Sequence, residues 1–451
     1  MPTTPPPIPF GWLSILRLGL VQSALGAVVV LATSTLNRVM VVEFALPATL
    51  PGALVALHYA VQMARPRVGH RADGGGRLTN WILAGMAVLA IGGVGAALAV
   101  ATMARHPALG IALAVAGYAV IGLGVGAAGT SLLALMALRV APARRGAAAT
   151  IIWIMMIAGF AITSGIVGRF LDPFSPQRLV NVTAVAVALA FTVAALALAR
   201  LEGRTAGTAA AQVNPGTPRR PFRVALAEVW AEPQARRFTI FVFVSMLAYS
   251  AEELLLEPFA GRVFALTPGR STQLSGLLHG GAVLGMLLVA VGSLLMRKRA
   301  NSLRGWTVAG CLASALALGA LAAAGGLGAA PLLSPVVFAL GLSNGMFAVA
   351  AIGSMMELAG QGRSGTTGVR MGLWGAAQAI AFALGGLSGT VGVDLARAFL
   401  GSSVAAYGIV FVAEALLFAG AAQVAFRLES SASLAREASR PRVRVADAQH
   451  P

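Results

Sequence analysis

Phe44-Ala45-Leu46-Pro47 and Phe264-Ala265-Leu266-Thr267-Pro268 are one short phrase written twice, 220 residues apart, the second copy carrying Thr267 as an added residue. At the same offset Arg17 faces Arg237. Beyond the insertion the offset grows to 221, and there Leu57-His58 faces Leu278-His279 and Trp153 faces Trp374. A single one-residue gap accounts for all of these matches, and two of only five histidines fall in register. A repeat at this spacing means that the chain is built from two like halves.

Both halves are strongly apolar. Of 451 residues 58% are hydrophobic and 11% charged, and mean hydropathy is +0.82, so the chain cannot solvate a water-soluble surface of its size. Apolar runs able to cross about 30 Å of hydrocarbon as helices predict twelve transmembrane spans: 17–36, 47–64, 80–103, 109–138, 147–170 and 179–199, then 238–256, 272–296, 303–323, 331–356, 367–391 and 400–426. The expected organisation is a disordered cytoplasmic N-terminus (1–16), a six-helix bundle (17–200), a cytoplasmic linker broken by Gly and Pro (201–236), a second six-helix bundle (237–426) and a disordered cytoplasmic tail (427–451). A short amphipathic piece is expected within the linker at Phe222 to Trp230.

The formal net charge is +18, but the arginines sit in loops rather than on one polar face, which argues against nucleic acid as a partner. Alternating the loops across the membrane puts only Arg38, Arg105, Arg169, Arg178, Arg262, Arg270 and Arg397 on one side and every other Lys and Arg on the other. The positive-inside rule then places both termini in the cytoplasm. Cys311, the single cysteine, lies in an apolar run and rules out a disulfide framework or a cysteine-built metal site.

Twelve helices in a 6+6 parallel repeat with a basic central connection resemble the major facilitator superfamily. The loop after the second span, Gly69-His70-Arg71-Ala72-Asp73-Gly74-Gly75-Gly76-Arg77, is similar to that superfamily's Gly-x-x-x-Asp-x-x-Gly-Arg motif. Its glycines, Gly69 and Gly76 among them, permit a tight turn, and Asp73 can cap a helix start or pair with a basic group, latching one helix bundle to its neighbour. Gly124-Val125-Gly126-Ala127-Ala128 resembles the fourth-helix stretch of the superfamily's proton-coupled exporters, but Val120 stands where their arginine would fall, which speaks against ordinary proton antiport.

Catalysis finds little support. A membrane prenyl transferase needs clustered aspartates to hold Mg²⁺ and diphosphate, whereas Asp73, Asp172, Asp394 and Asp447 are far apart in sequence. There is no H-E-x-x-H or Walker motif. No catalytic residue, metal site or catalytic cofactor is expected. The first, fourth, seventh and tenth spans, which line the cavity in this superfamily, are mostly Ala, Gly, Leu, Val and Met in their central turns. A sugar or ion would need many convergent polar groups there, whereas a large apolar ligand would not.

At Ser34-Thr35-Leu36-Asn37-Arg38-Val39-Met40-Val41-Val42-Glu43-Phe44 and the following Leu46-Pro47 the chain resembles the PucC/LhaA family of purple photosynthetic bacteria, with Leu-Asn-Arg-Val-Met the most specific part. The resemblance implies a protein of the bacterial inner (intracytoplasmic photosynthetic) membrane, surrounded by lipid, whose partners are light-harvesting antenna polypeptides and whose carried ligand is bacteriochlorophyll. Two other readings fit the same chain: a secondary transporter of small amphiphilic solutes, and an assembly scaffold that never holds pigment.

Bacteriochlorophyll is a flat Mg macrocycle that takes one axial donor, commonly a neutral imidazole nitrogen, with apolar packing around the rest. His58 lies eleven residues after Pro47, about 16 Å along a helix, and His279 is its repeat mate. Both are candidate Mg ligands, and Asn344 in the tenth span is the best polar candidate for the cavity. At the outer ends of the first and seventh spans Asn37 and Arg38 face Glu252, Glu253 and Glu257, and the expectation is a gate in which Arg38 pairs with Glu253 or Glu257. Glu414 stands mid-span in the last helix, a peripheral one in this superfamily, where a contact to a partner helix is as plausible as a ligand role. The ladders Gly122, Gly124, Gly126 and Gly372, Gly375, Gly385, Gly389 are expected to serve close helix packing.

Overall fold

A computed structural model describes residues 10–63, 77–202, 222–295, 302–360 and 367–438, and the described residues are helical almost throughout. The first half comprises α1 (Trp12–Glu43), α2 (Thr49–Gln62), α3 (Leu78–Met103), α4 (Pro107–Arg139), α5 (Arg145–Phe170) and α6 (Pro176–Leu198). A short helix, Phe222–Ala231, falls where the sequence predicts an amphipathic piece. The second half comprises α7 (Pro233–Phe264), α8 (Pro268–Leu295), α9 (Ser302–Leu327), α10 (Ala330–Gly360), α11 (Thr367–Leu400) and α12 (Ser403–Ala438). Eleven of these are long and apolar enough to cross a membrane among the described residues, which makes this a multi-pass membrane protein. The exception, α2, has 14 described residues and stops where residues 64–76 begin.

Several predicted boundaries move. The stretch expected to be a disordered lead-in is ordered from Phe10, which is buried, donates its N–H to the Arg139 carbonyl and lies under the Arg139 guanidinium at 4.8 Å. Trp12-Leu13-Ser14-Ile15-Leu16 then continues the apolar run into α1. The second half begins at Pro233, a proline in the first turn, where its missing N–H costs no hydrogen bond. At the other end α12 runs on to Ala438, because no Gly or Pro interrupts the chain between Phe426 and that point. The loop motif residues Gly69, Asp73 and Gly76 lie outside the described residues; Arg77 directly precedes α3.

Each half has its own apolar core. One is built from α1–α6 around Leu18, Ile82, Leu89 and Tyr118; the other from α7–α12 around Phe241, Phe259, Phe347 and Phe418. A smaller cluster bridges them: Ile157 and Phe160 of α5, Met286 and Val289 of α8 and Val349 of α10. Where backbones approach closely the chain uses glycine. A Cβ on Gly124 would sit 2.5 Å from the Leu89 nitrogen of α3, and one on Gly385 would meet the Leu247 carbonyl of α7 at 2.3 Å. Gly122 and Gly389 are similarly crowded, as the ladders predict, whereas Gly375 faces open space.

The repeat is visible in backbone conformation. Ala45 and Ala265, 220 residues apart, both adopt left-handed φ of 52°. In each case the following leucine N–H reaches six residues back, Leu46 to Met40 at 3.0 Å and Leu266 to Ala260 at 3.2 Å, so α1 and α7 end in the same closing turn.

Candidate functional site

The end of the bundle distal to the chain termini is where the halves are stitched together. α1 does not stop at Leu36 but continues to Glu43, passing through two wide, π-helical turns, Leu31–Thr35 and Val39–Glu43, on either side of Leu36-Asn37-Arg38. Such turns carry an extra residue and re-aim the side chains around them. Here they lay Thr33, Ser34, Thr35, Asn37 and Arg38 along the second half, all of them buried. Asn37 Nδ2 donates to the Leu254 carbonyl at 2.6 Å, Thr33 Oγ1 donates to Glu253 at 3.4 Å, and the hydroxyls of Ser34 and Ser275 lie 3.4 Å apart.

The predicted gate pair does not form. Arg38 pairs with Glu43, one turn further along its own helix, and donates across the seam to the Leu266 carbonyl at 2.6 Å. Glu257 instead accepts from Thr272 Oγ1 at 3.1 Å, Glu253 from Thr33, and Glu252 lies elsewhere altogether. The reason is helix length: α7 passes through Pro258 to Phe264, so carboxyls expected at its end are carried inward. From the opposite side Arg262 donates to the Val41 carbonyl, so each half sends one arginine to a backbone carbonyl of the other.

Two aspartates complete the stitching. Asp172, just past α5, accepts from Thr267 Oγ1 at 2.6 Å and from the Gly269 N–H at 3.1 Å, capping the start of α8. Asp394, on α11, accepts from the Ala48 N–H at 3.0 Å and from Thr49 N–H and Oγ1 at 2.7 Å each, capping the start of α2. Each carboxylate supplies, from the opposite half, the acceptor that a helix start needs. The two sit 222 residues apart, one residue more than the offset at Trp153 and Trp374, so a second one-residue gap beyond that pair would bring them into register. An open cleft of about 740 Å³ lies at this end, lined by Arg38, Glu43, Asp172 and Arg270 together with Gly261 and the Ala265-Leu266-Thr267-Pro268 turn. It is a mouth, not a central chamber.

The histidines occupy unlike settings. His58 Nε2 lies 2.7 Å from the Gln62 amide nitrogen, and its ring meets Tyr59 edge-on at 4.9 Å. His279, 1% exposed, uses Nδ1 to contact the Ser275 carbonyl at 2.8 Å. A carbonyl can only accept, so Nδ1 carries the proton and Nε2 keeps its lone pair, with no hydrogen-bond partner. Phe160 of α5 stands edge-on to that ring at 5.0 Å, which sets His279 against the cluster joining the halves.

Asn344 and Glu414 are both buried within the second half. Asn344 Nδ2 donates to both oxygens of Glu252, at 2.8 and 3.0 Å, and Oδ1 accepts from Ser314 at 2.8 Å. Glu414 is 2% exposed, so its carboxyl turns into the bundle rather than out toward a partner helix. The sequence reading also missed an aromatic run from one half to the other: Tyr59 of α2 to Phe382 of α11 at 5.2 Å, Phe382 to Tyr249 of α7 at 5.9 Å, and Tyr249 to Phe347 of α10 at 6.3 Å. Nothing in the spacing of these residues marks them, because four helices have to meet before they become neighbours.

A family model described as PUCC protein matches residues 35–433. The chain belongs to the PUCC protein family. The match begins within Ser34-Thr35-Leu36-Asn37-Arg38, the stretch that lies along the seam. "Bacteriochlorophyll synthase 44.5 kDa chain" of Rhodobacter capsulatus is 54% identical over 426 residues, covering 94% of this chain and 97% of that one. "Protein PucC" of the same organism is 28% identical over 427 residues, covering 89% of each. Among solved structures, a bacterial homolog of the human lysosomal transporter Spinster, inward-facing and unoccupied, matches with a TM-score of 0.68 at 14% identity over 93% of this chain and 96% of that one. The peptide transporter POT matches with 0.68 at 15% identity over 94% and 97%. At those identities the likeness shows the fold alone, and the fold is that of the major facilitators.

Proposed function

We propose that this PUCC-family protein is a non-covalent carrier of bacteriochlorophyll that serves the assembly of light-harvesting complexes in a bacterial inner membrane, with both termini in the cytoplasm. The observation that carries the reading is His279: a buried imidazole between the halves whose protonated nitrogen is engaged and whose Nε2 lone pair is free. That is the tautomer an axial Mg ligand requires. The family and the relative named for bacteriochlorophyll point the same way. His58, whose Nε2 already meets Gln62, is the weaker candidate of the two.

The word synthase in that relative's name does not carry over to this chain as chemistry. Asp172 and Asp394, two of the four aspartates, are committed to capping α8 and α2 in opposite halves, so they do not converge on a diphosphate. The distal seam is the gate in this reading. Arg38, Arg262 and the two aspartates hold it shut, and the ligand enters and leaves by the other end or laterally from lipid.

Purification from a pigment-making host tests the proposal. Wild type is expected to carry bacteriochlorophyll visible by near-infrared absorption, His279→Ala to lose most of it and His58→Ala to keep most. A pigment-free wild type would leave a scaffold role, and unchanged pigment in the double variant would remove both histidines as ligands. Proton-driven solute uptake into vesicles would instead favour a transporter of small amphiphiles.

A further inference from the structure

Four polar side chains from four helices meet at one level of the second half. Measured along their helices at 1.5 Å per residue, Glu252 lies about 18 Å from the distal end of α7, Ser314 about 20 Å from that of α9, Asn344 about 21 Å from that of α10 and Glu414 about 16 Å from that of α12. For helices of this length that is the middle of the membrane. All four are at most 2% exposed. Glu414 is within electrostatic reach of Glu252, and neither of its oxygens has a hydrogen-bond partner.

Two carboxyl groups so placed cannot both be ionised, since each charge would lack water and repel the other. Neither is in an ion pair with Arg38, whose partner is Glu43, nearer the distal end. On the surrounding helices Tyr249, Glu253 and Glu257 of α7, Cys311 of α9 and Tyr407 of α12 are not cationic, and His279 of α8 turns its Nδ1 proton to the Ser275 carbonyl; the arginines stand toward the helix ends, Arg236 and Arg237 at the start of α7, Arg304 at that of α9, Arg427 late in α12, and Arg262 and Arg397 with Asp394 at the distal end. Asn344 tells the two carboxyls apart. Its Nδ2 offers hydrogens to both Glu252 oxygens, which suits a carboxylate, and its Oδ1 is held in that orientation by the Ser314 hydroxyl. Glu414 receives no such donors.

We propose that Glu252 and Glu414 form a proton-binding site in the core of the second half, with Glu252 ionised and oriented by Asn344 and Ser314, and Glu414 carrying the proton. No group of three or more His, Cys, Asp or Glu suited to a metal occurs among the described residues, and the cation assigned to the site is a proton. The site is independent of the pigment reading. It belongs to one half only, because the repeat partners of Glu252 and Glu253 are Ala32 and Thr33.

Difference infrared spectroscopy of the full-length protein in lipid nanodiscs at neutral pH reads the proton directly. Wild type is expected to show the C=O stretch of a protonated carboxylic acid, and Glu414→Gln to lose that component. Glu252→Gln, which removes the charge that holds Glu414 protonated, is expected to shift it. Absence of any protonated-acid band from wild type overturns the proposal without a variant, and so does a band unchanged in Glu414→Gln. Should that variant fail to fold, a hydrophobic carbodiimide, which reacts with protonated carboxyls, replaces it: peptide mapping of wild type is expected to find the adduct on Glu414, and adducts on other acids but not on Glu414 overturn the assignment.

Discussion

The distal seam and the middle of the bundle treat the repeat in opposite ways. At the seam almost every device occurs twice: Ala45 and Ala265 share one backbone conformation, Arg38 and Arg262 each reach a carbonyl of the other half, and Asp172 and Asp394 each cap a helix of the other half. In the middle the halves part company. Glu252, Glu253 and Glu257 stand opposite Ala32, Thr33 and Asn37, and two repeat-related histidines have different partners. A duplicated chain keeps in both copies what the joint between them needs, and diverges where one copy has its own task. Symmetry therefore marks the hinge and seal, and its loss marks the chemistry.

The largest effect should come from breaking the unsymmetrical region. Asn344→Ala strips Glu252 of both donors and Ser314 of its acceptor, and loss of about 3 to 5 kcal/mol of apparent stability is expected. Thermal unfolding in detergent checks this, and a change near zero would mean that Glu252 is not charged. Next come the two caps. Asp394→Ala, losing three hydrogen bonds, should weaken the seam by about 2 to 3 kcal/mol, and Asp172→Ala, losing two, by about 1 to 2. Thiol labelling of a cysteine placed at Val42, which lines the distal cleft, should rise in that order. Equal labelling of both variants would show that the caps are not separate ties.

Charge exchange sharpens the same comparison. Arg38→Glu should open the seam, and Glu43→Arg should restore it whereas Glu257→Arg should not, because the ion partner of Arg38 is Glu43. Rescue by the position-257 change would reinstate the pairing expected from sequence. The smallest effect concerns the matched turns. Glycine carries no Cβ penalty at positive φ, so Ala45→Gly and Ala265→Gly should each stabilise by up to about 1 kcal/mol, and by like amounts. Unequal shifts in Tm would show that the two turns bear different loads.

The architecture was open to reading in the sequence because it rests on long-period signals. Hydropathy set the spans, and the Phe-Ala-Leu phrase set the offset at which two alanines share a left-handed turn. The site was legible only as a cast of residues. Asn37, Arg38, Glu253 and Asn344 do sit at buried junctions, yet their partners differ from those expected, since two wide turns in α1 and about two further turns on α7 rotate and displace them. Hydropathy ends a span at the first charges, so buried charges such as Arg38 and Glu257 shortened both helices in the reading. Asp172 and Asp394 looked like isolated acids because a cap made from the opposite half leaves no local trace.

That cap has a consequence for how the protein is made. Thr49 and Asp394 are 345 residues apart, so the first turn of α2 is translated long before the group that completes it. At about 5 to 20 residues per second the wait is on the order of tens of seconds. During that interval the nascent N-terminal bundle presents bare backbone amides at its rim. Those amides fall silent only once the eleventh helix has been threaded into place, which makes the carboxylate of Asp394 a signature that all but the last helix has been made.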